Sequence, residues 1–170
     1  MVEVEVWSLA IDEKNQYPVV ILQTRDGSKR LPIWIGPPEA SAIAMEIAGK
    51  KFQRPLTHDL LAIILQGMGV HVQRVEVTEL VENTFYAKIY LEREGEVLCI
   101  DARPSDSIAI ALKTKARIFV NPQLFSEEVG SLFSTVEQVG QNEEDEERRA
   151  EDLRRFIEDL NPKDFGKFSF

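Results

Sequence analysis

Val2, Val4 and Val6 alternate with Glu3 and Glu5, the two-residue period of a strand with one buried face. A polar turn at 12–16 separates this strand from a β-branched run at 19–24. Arg25-Asp26-Gly27-Ser28 then supplies hairpin chemistry before a third strand at 31–35. The period changes next. Pro38, Glu39 and the alanine-rich stretch 40–48 predict a helix opened by proline and closed by Gly49. Thr57 is the expected N-cap of a second helix over 60–66, which Gly67 and Gly69 end. Strand patterns restart at 71–81, 85–92 and 97–102, with turns at Glu82-Asn83 and Gly95. Pro104 opens a further helix to about residue 113, and Ile118-Phe119-Val120 and a turn at Pro122 follow.

The second half restates the first at an offset of 67 residues. Leu31 meets Leu98, Ile33 meets Ile100, Pro37 meets Pro104, Glu39 meets Asp106, and Pro55 meets Pro122. Two repeats are too few for a solenoid. The expected fold is therefore α+β, an internal duplication of a three-stranded, two-helix unit. The two units share one core and join their strands into one strongly curved or barrel-like mixed sheet. The domain runs over 1–135, with repeats at about 1–67 and 68–134. An acidic linker at 136–149 leads to a C-terminal amphipathic helix and tail at 150–170, where Ala150, Leu153, Phe156, Ile157 and Leu160 recur at helical spacing. A lone helix of that length is marginal in water. It is expected to dock on its own body or on another subunit, so a homo-oligomer, dimer or higher, is anticipated.

Composition narrows the setting. No apolar run approaches the roughly 18 residues of a spanning helix, and acidic residues stand where a signal peptide needs bases. No membrane partner is expected. The single cysteine, Cys99, excludes an intramolecular disulfide and any multi-cysteine metal site, which fits a reduced, cytoplasmic protein. The net charge is −9; eleven acids against six bases in 137–170 account for −5 of it. The mildly acidic body can still hold a local basic face, because binding follows the local field.

Three segments carry a resemblance: Pro32-Ile33-Trp34-Ile35-Gly36-Pro37-Pro38-Glu39-Ala40, Arg54-Pro55-Leu56-Thr57-His58-Asp59-Leu60-Leu61, and Asp101-Ala102-Arg103-Pro104-Ser105-Asp106-Ser107-Ile108-Ala109. In this order they resemble the bifunctional nuclease family of bacterial and plant proteins, over roughly residues 1–130. The resemblance implies a duplicated α+β fold, a nuclease acting on DNA and RNA, and a divalent cation such as Mg²⁺.

Nucleases commonly cluster carboxylates around divalent ions that activate water and stabilise the leaving oxygen. Glu39 and Asp106 are the first candidates, being equivalent under the offset; each also follows a proline at a helix start, where an acid simply complements the dipole. His58 and Asp59 are the next, as base or ligand. Neighbours on a helix face different ways, so that pair is not one site by itself. His71, between valines, reads as structural, and Ser105 and Ser107 lack a histidine–carboxylate partner set. Candidate phosphate-binding bases are Arg103, Lys50, Lys51, Arg54, Lys113, Lys115 and Arg117. The same bases after helices also complement helix C-termini, and Arg103 between Asp101 and Asp106 also suits a structural ion pair. Trp7, Trp34 and the phenylalanines fall on strand patterns and read as core. A non-catalytic module that self-associates is the alternative to the enzyme.

Overall fold

The computed structural model describes residues 1–12, 16–126 and Arg154. Strands β1 (Val2–Ile11), β2 (Pro18–Thr24) and β3 (Arg30–Trp34) come first, followed by helices α1 (Pro37–Ile47) and α2 (Thr57–Gly67). Then come β4 (His71–Val81), β5 (Thr84–Arg93), β6 (Glu96–Ala102), α3 (Pro104–Thr114), β7 (Arg117–Val120) and a 3-10 turn at Pro122–Phe125. Two-residue turns link β4 to β5 and β5 to β6. Glu82 and Asn83 both take positive φ, 48° and 61°, and Glu94 and Gly95 take 55° and 86°. That twist matches the flanking strands.

The strands form one seven-stranded sheet in the order β3-β2-β1-β7-β4-β5-β6. Every pairing is antiparallel except β4 with β7. Helix α1 packs on β2 and α3 on β4 and β5, so helices cover one face of the sheet. Between the layers lies a core that includes Val20 and Leu22 of β2, Leu31 and Ile33 of β3, Ile43 of α1, Val75 and Val77 of β4 and Ile108 of α3. A register shift between Val6 and Ser8 changes the facing of β1, and Leu9 thereby joins Val4 on the core side. Trp7 instead packs with Val19 and Ile21 in a small second cluster, which Trp34 joins.

The barrel-like expectation is corrected. The sheet does not close into a barrel: β3 and β6 lie at its opposite edges. The two three-stranded groups meet through β1, β7 and β4 at the centre, which sends β3 and β6 apart, and a helix layer buries the apolar face without closure. In addition, 117–120 forms a full strand where the offset positions 50–53 do not. A short strand is held there by neighbours on both sides. Helices α1 and α3 each have 11 residues, and their first residues lie 67 positions apart. The linker and C-terminal helix expected at 136–170 lie outside the described residues, Arg154 excepted. Among the described residues, no helix is long and apolar enough to cross a membrane.

Candidate functional site

Proline sets the first turn of α1 and of α3, and both helix starts converge with that of α2. The Arg103 side chain, at the N-cap of α3, is the link. Its Nη2 lies 2.8 Å from Glu39 Oε1, and its Nε donates to Asp106 Oδ2 at 2.7 Å. Nη2 also donates to Asp106 Oδ1 at 3.2 Å. His58, in the first turn of α2, brings Nε2 to 3.1 Å from the same Oδ1. Glu39, His58, Arg103 and Asp106 therefore form one bonded cluster drawn from three helices.

Gly36 makes room for it. A Cβ at this position would stand 2.2 Å from Glu39 Oε2, so only glycine lets the Glu39 carboxylate fold back beside the helix start. Burial works against the charge on Asp106, but the bonds from Arg103 and His58 outweigh it and hold the carboxyl below its ordinary 3.8. An ionised Asp106 only accepts, so His58 Nε2 carries the hydrogen of their bond. Nδ1 is then the basic atom of the neutral ring. The His58 side chain is 16% exposed and that of Arg103 66%.

Asp59 belongs to an adjoining cluster. Its Oδ2 accepts the Leu56 N–H at 2.9 Å, while Oδ1 bonds Lys113 Nζ, which also donates to Glu46 Oε2 at 3.1 Å. Leu56, not the expected Thr57, is thus the N-cap of α2, and Asp59 satisfies its backbone. Burial opposes the charge on Asp59 and on Lys113 alike. Their mutual bond, helped by Leu56 and Glu46, leaves Asp59 more acidic and Lys113 more basic than usual. Lys113 is consequently held between three helices, its side chain 11% exposed. Lys50, Lys51, Arg54, Lys115 and Arg117 are exposed, and the Arg117 guanidinium lies 5.5 Å from the Phe119 ring centre. His71 is exposed at the start of β4.

The carboxylates as arranged do not fit a divalent ion. The guanidinium of Arg103 spans Glu39 and Asp106, taking the place a cation would occupy. Among the described residues no three His, Cys, Asp or Glu side chains converge as ligands.

Beside Arg103 opens a cleft of about 410 Å³. Tyr17, Trp34 and Phe85 line it together with Gly36, Asn83 and the start of α3. The expectation that the aromatics serve the core holds for Trp7, which is buried, but Trp34 and Phe85 reach this cleft. Period two carries the signal for Trp34: Leu31 and Ile33 face the core, so Trp34 faces the other side. Its Nε1 donates to the buried Asp12 at 2.9 Å, which fixes the ring.

The bifunctional nuclease domain profile matches residues 20–131, a stretch that takes in every residue of both clusters. The chain belongs to the bifunctional nuclease domain family. An uncharacterised protein of Mycobacterium tuberculosis is 35% identical over 165 residues, covering 97% of this chain and 98% of its own length. Bifunctional nuclease 1 of Oryza sativa subsp. indica is 28% identical over 120 residues, 68% of this chain and 36% of the rice protein. Bifunctional nuclease 1 of Arabidopsis thaliana is 30% identical over 112 residues, 64% of this chain and 34% of its own length. The chain thus spans about a third of these plant members of the family.

Proposed function

We propose that the chain is a nuclease that hydrolyses phosphodiester bonds of DNA, RNA or both, with His58 as its acid–base group. The observation that carries this reading is the His58–Asp106–Arg103 chain of hydrogen bonds beside the cleft. Asp106 orients the imidazole through Nε2, leaving Nδ1 to take a proton from the attacking water or return one to the leaving oxygen. Arg103 keeps its Nη1 edge on a largely exposed side chain, suited to a phosphate oxygen. Glu39 holds that guanidinium in place. Two carboxylates against one guanidinium leave the cluster negative while His58 is neutral, so the phosphate approaches on the Arg103 side. Lys50, Lys51 and Arg54 supply further phosphate contacts, with Lys115 and Arg117 on the second helix's exit. Family membership and the names of the plant relatives support the reaction class.

No step is routed through a metal ion, because the carboxylates do not fit one while Arg103 spans them. The test is degradation of single- and double-stranded DNA and RNA, with Mg²⁺, Mn²⁺ or chelator. His58→Ala should lose about 10²–10⁴-fold in rate, and Asp106→Asn should fall with it. Unchanged activity in His58→Ala removes the proposed acid–base group. No cleavage of any substrate under any condition rejects the enzyme. Activity that vanishes with chelator and returns with Mn²⁺ would show that an ion enters the site on substrate binding.

A second reading, self-association, is favoured by α2, in which no residue is buried although 60–65 are all apolar. A helix apolar all round is one that something covers, and we take a second copy as the cover. The 67-residue equivalence of α1 and α3 supports an internal duplication, and the single cysteine suits work in the cytoplasm.

A further inference from the structure

We propose that the cleft beside Arg103 seats one unpaired base of a single-stranded DNA or RNA, stacked against its aromatic wall. This deepens the nuclease reading, on which it rests for the phosphate, by naming a strand preference. Three aromatic side chains from separate elements line the cleft: Tyr17 ahead of β2, Trp34 at the end of β3 and Phe85 at the start of β5. Tyr17 is 58% exposed although it lines the cleft, so its side chain is open to a ligand. Arg103 also lines the cleft, so its guanidinium is at hand for the phosphate of a base seated there. Asn83, at the tip of the β4–β5 turn, offers an amide that both donates and accepts, as a base edge requires.

Size and charge both select against a duplex. About 410 Å³ lies within the roughly 300–1,000 Å³ of small-ligand clefts. A base reaches such a concavity only when it leaves its stack, and a strand already unpaired does so at least cost. Duplex binding draws instead on many phosphate contacts over a basic surface. This chain carries 29 acids against 20 bases, a net −9, so stacking is the larger source of affinity.

The experiment uses the full chain and fluorescein-labelled phosphorothioate oligonucleotides of about 12 nucleotides, which resist cleavage. Anisotropy titrations compare single-stranded DNA, single-stranded RNA and the corresponding duplexes, and cleavage of ordinary strands is followed in parallel. Single strands should bind at least about tenfold more tightly than duplexes. Tyr17→Ala and Phe85→Ala should each weaken single-strand binding by about 5- to 150-fold. Tyr17→Phe, which keeps the ring, should bind as the parent does. Circular dichroism confirms that each variant is folded, and Tyr17 is exposed enough that its loss leaves the core intact. Equal affinity for duplex, or folded Tyr17→Ala and Phe85→Ala variants that bind like the parent, overturns the base seat. If cleavage then persists, the nuclease reading survives that failure. Ring-dependent single-strand binding without any cleavage upholds the base seat and rejects the enzyme.

Discussion

Gly36 decides where the Glu39 carboxylate can lie. Its backbone angles, φ −74° and ψ 156°, are open to any residue, so the need for glycine comes from Glu39 Oε2, which lies where a Cβ would stand. Gly36→Ala should fold normally yet push Glu39 away from Arg103. With one partner lost, Arg103 is held by Asp106 only, and positioning of the phosphate suffers. The expected outcome is a raised KM and a rate reduced by about tenfold or more, since misplacement of about 1 Å can cost 10²-fold. An unaltered Tm beside that loss would identify a positioning effect. Full activity in Gly36→Ala would mean that the Glu39–Arg103 contact is dispensable.

Helix α2 is attached at its N-terminal end through Lys113, besides the His58–Asp106 bond. This one ammonium ties Glu46 of α1 and Asp59 of α2 to α3. Lys113→Ala leaves two partly buried carboxylates without their shared cation, at a cost of about 1–3 kcal/mol. Hydrogen exchange should show faster opening in 57–67 while β1, β2 and β4 keep their protection. The pH dependence has a definite sign. Asp59 and Asp106 ionise below 3.8 in the fold, so their stabilisation is complete above 3.8 and is lost as pH falls through their lower folded values. Lys113 is raised above 10.5, so its share is present below 10.5 and is lost as pH climbs through the higher folded value. Protection of α2 amides, taken relative to the intrinsic exchange rate at each pH, should therefore fall at both extremes. A Lys113→Ala variant with the parent's α2 protection would exclude the ammonium as the tie.

At the scale of the molecule, apolar side chains on α2 and on β6 stand exposed among the described residues. Leu60, Leu61, Ile63 and Ile64 of α2 are 42–52% exposed. Val97 and Leu98 of the edge strand β6 are 54% and 59% exposed. Leu98 and Ile100 pair with Leu91 and Ile89, which places them on the core face beyond the reach of the helices. Such surfaces mark interaction sites, and an unprotected edge invites pairing. Sedimentation at micromolar concentration should find a dimer or larger species. The paired change Leu61→Glu and Ile64→Glu, at two positions that are exposed among the described residues, should dissociate it without unfolding. A monomeric parent chain rejects self-association through these faces.

Much of the local structure was legible along the chain, because strand and helix periods, proline at helix starts and turn residues act over a few positions. The strands up to β6 and the openings of α1 and α3 belong to that class. So do Glu39, His58, Asp59 and Asp106 as residues worth testing, since helix starts and the 67-residue equivalence single them out. Their grouping was not legible. His58 meets Asp106 across 48 residues, and Lys113 meets Glu46 across 67, only because α1, α2 and α3 share one side of the sheet. The insertion of β7 between β1 and β4 likewise depends on partners far away in the chain, and so does the open sheet that stands where a strongly curved or barrel-like one was expected. Sequence determines which faces are apolar and where charges fall. Packing decides which charges meet, and here it set Arg103 between two carboxylates and opened an aromatic cleft beside it.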